Sequence, residues 1–311
     1  MEVRRVVNEV GARARATIVE RFPDVDVIDV DGPEPPPGLT ADVFFGGWSA
    51  PDRLRAWIGS TGVRWVQLMG TGVDGVPADI LSGHVVCCAR GASAVPISEF
   101  VLASMLAFEQ RMPAVWLDAP PEHWNIAELG GLHGKRLGLV GLGGIGQAVA
   151  ARALAFGMTV RAVRRTDAPS PVAGVEIVTD LDDLLGGADH VVLAAPATSR
   201  THHLIGAATL RRVTPGVHLV NIARGGLVDQ DALRVALDDG RVALASLDCV
   251  DPEPLPAGHW LYDHPRVHLT AHISWASHEH LGRPVDLLLE NIARARADQP
   301  LLHVVDPIEG Y

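Results

Sequence analysis

Three residues in the second half of the chain, Arg224, Glu253 and His272, are of the types that reduction of a carbonyl requires, and they follow one another in that order. An arginine forks onto a carboxylate or carbonyl oxygen and polarises it. A histidine donates a proton to that oxygen as hydride reaches the carbon, and accepts it in the reverse direction. A carboxylate beside the histidine favours the imidazolium and fixes the ring, keeping an acid available near neutral pH. The set suits exchange of a hydride between a nicotinamide and a 2-keto acid. Singly, each has an ordinary structural reading: a loop arginine, a solvated carboxylate in an Asp/Pro-rich turn, a histidine at a strand end. Their order behind a nucleotide motif is what joins them.

That motif is LGLVGLGGIGQAVAARALAFG, Leu137 to Gly157. An apolar run meets Gly141, Gly143 and Gly146 in GxGxxG spacing, and an alanine-rich helical run follows. The pattern predicts a buried parallel strand, a tight turn at Gly141, a close backbone approach to a pyrophosphate at Gly143, and helix–strand packing at Gly146. Some twenty residues on, an NAD-binding unit carries a carboxylate for the ribose 2′-hydroxyl. Here that position is Arg164, followed by Arg165 and Thr166. Two arginines can fork onto a 2′-phosphate, so NADP is expected over NAD. The alternative is two surface arginines in an arginine-rich chain, because the 26 cationic residues comprise 25 arginines and Lys135.

Arg224, Glu253 and His272 each follow an apolar run (VNIA, LDCV, LTA), as residues at the carboxyl edge of an open α/β sheet do. With 311 residues the chain suits two domains. Short strands and helices alternate over the first ninety residues, from VDVIDV at 25–30 through GPEPPPG at 32–38, a loop that cannot be helical. From Leu137 onward about six strands alternate with helical segments, and a helix is expected over 277–297. The expected fold class is α/β, with two Rossmann-like, doubly wound parallel sheets and a discontinuous smaller domain. The expected domains are 1–91 with 277–311 on the substrate side and 92–276 for the dinucleotide. SEFVLASMLAFE (98–109) is apolar on several faces, which suits an inter-domain or inter-subunit contact.

A hydrophobic fraction of 48% with 20% charged residues describes a globular protein, and a net charge of −11 argues against nucleic acid as a partner. The N-terminus lacks an apolar signal core, no run is long enough for a membrane span, and the three cysteines form no disulfide pattern. A cytoplasmic location follows as the expectation. Cys87, Cys88 and Cys249 read as buried small hydrophobes. His202-His203 and His278-Glu279-His280 lack HExxH spacing, so no metal site is expected. Trp48, Trp116, Trp124 and Trp275 read as packing residues more readily than as pocket lining.

With these residues in view the sequence resembles the D-isomer-specific 2-hydroxyacid dehydrogenases, the group that includes phosphoglycerate dehydrogenase and glyoxylate/hydroxypyruvate reductase. The resemblance runs from GTGVDG (70–75) through SEFVLASMLA (98–107), GKRLGLVGLGGIG (134–146) and VNIARGGLVDQDAL (220–233) to LDCVDPEPLP (247–256), LTAHIS (269–274) and the ending LLHVVDPIEGY. It implies that Arg224 binds the substrate carboxylate and carbonyl, that Glu253 pairs with His272, and that His272 is the acid/base. It further implies that Asp248 accepts from the nicotinamide carboxamide and that Gly144, Ile145 and Ala223 contact the cofactor. The backbone around Thr71 and Gly72 would hold the substrate carboxylate, in a cleft that closes between two domains. A homodimer is implied, with a small 2-keto or 2-hydroxy acid as the partner molecule. Relatives usually carry proline before the catalytic histidine, where this chain has Ala271; the stiffness of that turn is therefore in question. A chain ending at Tyr311 does not suit a long-form, allosterically controlled phosphoglycerate dehydrogenase. Glu253 separates the chain from formate dehydrogenases, which use glutamine there. A dinucleotide-sensing corepressor-like protein and a phosphite dehydrogenase stay open as alternatives at this point.

Overall fold

The structure is a computed structural model that describes residues 2–47, 50–166, 168–278 and 281–307. The chain divides into two compact units, Met1–Ser93 with Ser277–Tyr311, and Ala94–Ala276.

The first unit holds five parallel strands: β1 (Arg5–Asn8), β2 (Asp26–Asp29), β3 (Val43–Gly46), β4 (Trp65–Leu68) and β5 (Val85–Cys87), in the order β2-β1-β3-β4-β5. The sequence reading overlooks β1 because charges flank it. Those charges pair locally: the Arg5 side chain meets Asp26 at 2.9 Å, and the Arg4 and Arg5 amides donate to Asp42. Helices α1 (Ala12–Arg21), α2 (Pro51–Thr61) and α3 (Ala78–Gly83) connect the strands. Proline at the first position starts α2, and Gly62, at φ 69°, ends it in the left-handed conformation. Residues of the last helix, Gly282–Arg296, join the same core: Val285, Leu288 and Ile292 pack with Val6, Ile18, Phe45 and Trp65. Inside it Asn291 donates to Gln67 at 2.9 Å, so two buried amides satisfy each other.

The second unit opens with α4 (Ala94–Glu109) and holds seven parallel strands: β6 (Arg136–Val140), β7 (Thr159–Val163), β8 (Val175–Val178), β9 (His190–Leu193), β10 (Val217–Asn221), β11 (Val242–Leu247) and β12 (Val267–Leu269). Their order is β12-β11-β10-β9-β6-β7-β8. The sequence suggested about six; the extra one, β8, is an edge strand with little burial, so its apolar signal is short. The inner strands β9 and β10 are buried at every residue, as expected of a parallel sheet covered on both faces. The Ala-rich α5 (Gly144–Ala155) packs with α4 around Val101, Met105, Val149 and Ala153. The apolar side of α4 is thus used first within its own unit. Chain order reverses between β6 and β9, and ligands bind outside the carboxyl ends of strands at such a switch point.

Candidate active site

The glycine motif sits at that switch point. Gly141 leaves β6 at φ 101°, and a Cβ there would lie 2.7 Å from the Ala194 carbonyl oxygen. A Cβ on Gly146 would lie 2.2 Å from the Gly141 carbonyl oxygen. Both glycines are therefore demanded by the fold itself. Gly143 differs: a Cβ there would meet nothing within 4 Å, so no protein contact requires glycine. Gly143 also caps α5 without any side-chain acceptor for the first-turn amides, including those of Gly144 and Ile145. Open space over a glycine, at a helix start whose N–H groups take no side-chain cap, fits a dinucleotide pyrophosphate. At the end of β7, Arg164 is half-buried and its guanidinium donates to the Pro169 carbonyl at 3.3 Å, while Arg165 is exposed.

Three loops at the same edge of the sheet hold the other residues. After β10, Asn221 accepts the Ala223 N–H at 3.1 Å and donates to the Arg224 carbonyl at 2.9 Å, folding the turn that presents Arg224. Gly225 follows, and a Cβ there would fall 1.9 Å from the Val250 carbonyl carbon. Only glycine lets the Arg224 turn lie directly on the loop after β11. In that loop Glu253 splits its carboxylate: Oε1 accepts the Val250 N–H at 2.9 Å, and Oε2 meets Nδ1 of His272 at 2.8 Å. Both side chains are 36% exposed, so the pair is neither sealed nor fully solvated. His272 itself takes φ 55°, an unusual backbone conformation for a residue with a side chain.

Asp248 holds that conformation. Its carbonyl accepts the His272 N–H at 2.9 Å. Its carboxylate, 1% exposed, accepts from Thr270 Oγ1 at 2.7 Å and from the N–H groups of Ile273 and Ser274 at 2.8 and 2.9 Å. The Trp275 indole donates to the His272 carbonyl at 2.7 Å. The turn is stiffened by this clamp, which answers the question raised by Ala271.

The structure thus joins Glu253 to His272 and packs the Arg224 turn against the Glu253 loop. Thr71 and Gly72 belong to the first unit, where the Thr71 hydroxyl donates to the Ala89 carbonyl at 3.2 Å and Gly72 is exposed. Trp116 and Trp124 are exposed, and Trp48, Glu279 and His280 lie outside the described residues.

Two features were not read from sequence. The first is a polar chain through the core of the second unit. Ser246 Oγ and His218 Nε2 are 2.9 Å apart, His218 Nδ1 and His190 Nδ1 are 3.2 Å apart, and His190 Nε2 lies 3.1 Å from Glu109 Oε1. Lys135, the one lysine in the chain, stands 3.3 Å from the same oxygen. Burial pushes His190 down to about 4, against the opposing pull of Glu109, and pushes His218 well below its ordinary range. Both imidazoles are neutral at pH 7. The available signal was a histidine inside each of two apolar strands, HVVL and VHLVN. The second feature is Cys249, whose sulfur lies beside Glu253 and His272.

A seven-stranded nucleotide-binding sheet, with a glycine-lined helix start and a histidine–carboxylate pair at one edge, defines a dinucleotide-dependent class of protein. Residues 102–274 match the D-isomer specific 2-hydroxyacid dehydrogenase, NAD binding domain family. The chain is 33% identical over 299 residues to a glyoxylate reductase of Korarchaeum cryptofilum, spanning 92% of this chain and 85% of that one. It is 35% identical over 225 residues to a D-3-phosphoglycerate dehydrogenase of Bacillus subtilis, spanning 70% of this chain and 42% of that one. The chain therefore spans less than half the length of that phosphoglycerate dehydrogenase. Among solved structures, a D-isomer specific 2-hydroxyacid dehydrogenase from Xanthobacter autotrophicus in complex with NADPH superposes with a TM-score of 0.84 at 26% identity, covering 100% of both chains. An NADPH-dependent glyoxylate/hydroxypyruvate reductase from Sinorhizobium meliloti, in complex with NADP and sulfate, superposes with a TM-score of 0.85 at 25% identity, covering 99% of this chain and 100% of that one. The protein belongs to the D-isomer specific 2-hydroxyacid dehydrogenase family, whose members are NAD(P)-dependent oxidoreductases. Among the described residues no helix is long and apolar enough to cross a membrane.

Proposed function

We propose that the protein reduces a small 2-keto acid, of the glyoxylate or hydroxypyruvate kind, to the D-2-hydroxy acid. The observation that carries this reading is the 2.8 Å contact between His272 Nδ1 and Glu253 Oε2. With Nδ1 turned to the carboxylate, Nε2 is the nitrogen left to face a carbonyl oxygen. The bound nicotinamide supplies the hydride. His272 gives its proton to the carbonyl oxygen, and Glu253 stabilises the imidazolium from which that proton comes. Arg224 binds the substrate carboxylate and polarises the carbonyl. Asp248 positions His272, and retains an acceptor site for the nicotinamide carboxamide, because a carboxylate offers about four and three are used. Gly141, Gly143, Gly144, Ile145, Gly146 and Ala223 line the dinucleotide, and the backbone at Thr71 and Gly72 contributes to binding the substrate carboxylate.

Under this reading the unit Ala94–Ala276 binds the cofactor, and Met1–Ser93 with Ser277–Tyr311 serves the substrate. NADP is favoured over NAD by Arg164 and Arg165 at the end of β7, where NAD-binding units place a carboxylate. The solved relatives carrying NADPH and NADP support this choice. A homodimer is supported by a stretch of exposed apolar residues in the second unit, Met112, Trp116, Leu117, Trp124, Ile126 and Leu129. Sedimentation tests the dimer, with a single-chain mass contradicting it. The function is tested by NADPH oxidation with a panel of 2-keto acids. Dinucleotide binding without turnover of any of them contradicts it.

A further inference from the structure

A sulfur, an oxygen and a nitrogen converge at the edge of the second sheet. The Cys249 thiol, a carboxylate oxygen of Glu253 and a ring nitrogen of His272 all lie within 4.8 Å of one another. Cys249 directly follows the clamping Asp248, Glu253 stands four residues further along the same loop, and His272 comes from the loop after β12. The protein's own hydrogen bonds hold these loops. Asn221 donates to the Cys249 carbonyl at 3.4 Å, Val250 N–H donates to Glu253, and the Asp248 carbonyl accepts from His272. The thiol is buried, while Glu253 and His272 are each 36% exposed on their side chains, so an ion entering from solvent meets them first.

We propose that Cys249, Glu253 and His272 form a binding site for a thiophilic divalent cation, Zn²⁺, and that its occupation switches the His272–Glu253 pair off. Thiolate, imidazole and carboxylate are the donors zinc takes, and three protein ligands leave its fourth position open for water. Tetrahedral zinc holds such donors roughly 3.3–3.8 Å apart, so the separations between the three need to change by up to about 1.5 Å. Hard oxygen-seeking ions gain nothing from the sulfur, so Mg²⁺ and Ca²⁺ are discriminated against. On binding, the Cys249 thiol releases its proton to solvent. The imidazolium likewise loses to solvent the proton between Nδ1 and Glu253, and the neutral ring, still protonated at Nε2, presents its Nδ1 lone pair to the metal. The ring then carries no transferable imidazolium proton and Glu253 no longer supports one. The inhibition rests on the proposed acid/base role; the binding does not.

The test is titration of the reduced full-length protein with Zn²⁺ against a chromophoric chelator, and separately with Co²⁺. The expected result is one ion per chain, a near-ultraviolet thiolate-to-Co²⁺ band, and binding weakened about tenfold or more in Cys249→Ala and in the volume-conserving Cys249→Val. Zn²⁺ should also inhibit keto-acid turnover by the wild type at concentrations that leave Cys249→Val active. Zn²⁺ bound as tightly by both Cys249 variants, or a Co²⁺ complex without the thiolate band, overturns the site. Binding as predicted without any turnover would instead count against the proposed reaction and leave the metal site standing.

Discussion

Asp248 grips the loop of His272 from beneath: its carbonyl takes the His272 N–H at 2.9 Å, and its buried carboxylate takes three donors from residues 270–274. One residue at the end of β11 thereby fixes the conformation of another that follows β12. His272 has φ 55° because these bonds over-determine it, and the cost of such a backbone, of order 1–3 kcal/mol, is offset locally.

Replacing Asp248 by asparagine keeps the shape but turns one acceptor into a donor that faces N–H groups. The expected outcome is a loss of about 1–3 kcal/mol in stability, read by urea unfolding. A fall in kcat of about tenfold or more should accompany it, because a misplaced general acid loses its geometry. Unchanged stability and turnover in Asp248→Asn would show that the clamp does not position His272.

Acid should weaken the second unit through His190. Its ordinary value is 6.5, and in the fold it lies near 4, so the unfolded chain binds a proton that the folded chain refuses. The stabilisation is complete above pH 6.5 and is lost as pH falls towards 4, by about 3 kcal/mol. Urea midpoints measured from pH 7 to pH 4.5 should fall, and His190→Gln should flatten that slope. An equal slope in the variant would contradict the assignment.

Arg164 and Arg165 should matter for one cofactor only. Removing both should raise KM for NADPH about tenfold or more, as expected when a charge-assisted contact to a phosphate is lost, and change KM for NADH little. Equal or better kcat/KM with NADH in the wild type would contradict the NADP preference.

Much of this was legible because period and punctuation are local properties. The apolar runs of β6, β9, β10 and β11 and the glycines at 141, 143 and 146 announce themselves in a few residues. Strands β1 and β8 did not, since one is bracketed by charges and the other is half-exposed at an edge. The polar chain from Ser246 to Glu109 was invisible for another reason. Its members are far apart in sequence and meet only through strand register, with His218 opposite His190 across β10 and β9. Cys249 was likewise read as packing, because its neighbourhood to His272 depends on how two loops fold together. Gly225 was read only as part of a motif; its need to lie on Val250 appears once the loops are placed.

In the proposed reaction His272, supported by Glu253, transfers the proton in NADPH-dependent keto-acid reduction. The most direct measurement is the rate of NADPH consumption with glyoxylate and hydroxypyruvate for wild type, His272→Ala and Glu253→Gln. Wild-type turnover, a loss of about 10²–10⁴-fold in His272→Ala and a smaller loss in Glu253→Gln are the predicted results. Turnover that survives in His272→Ala at the wild-type rate would contradict that role for His272.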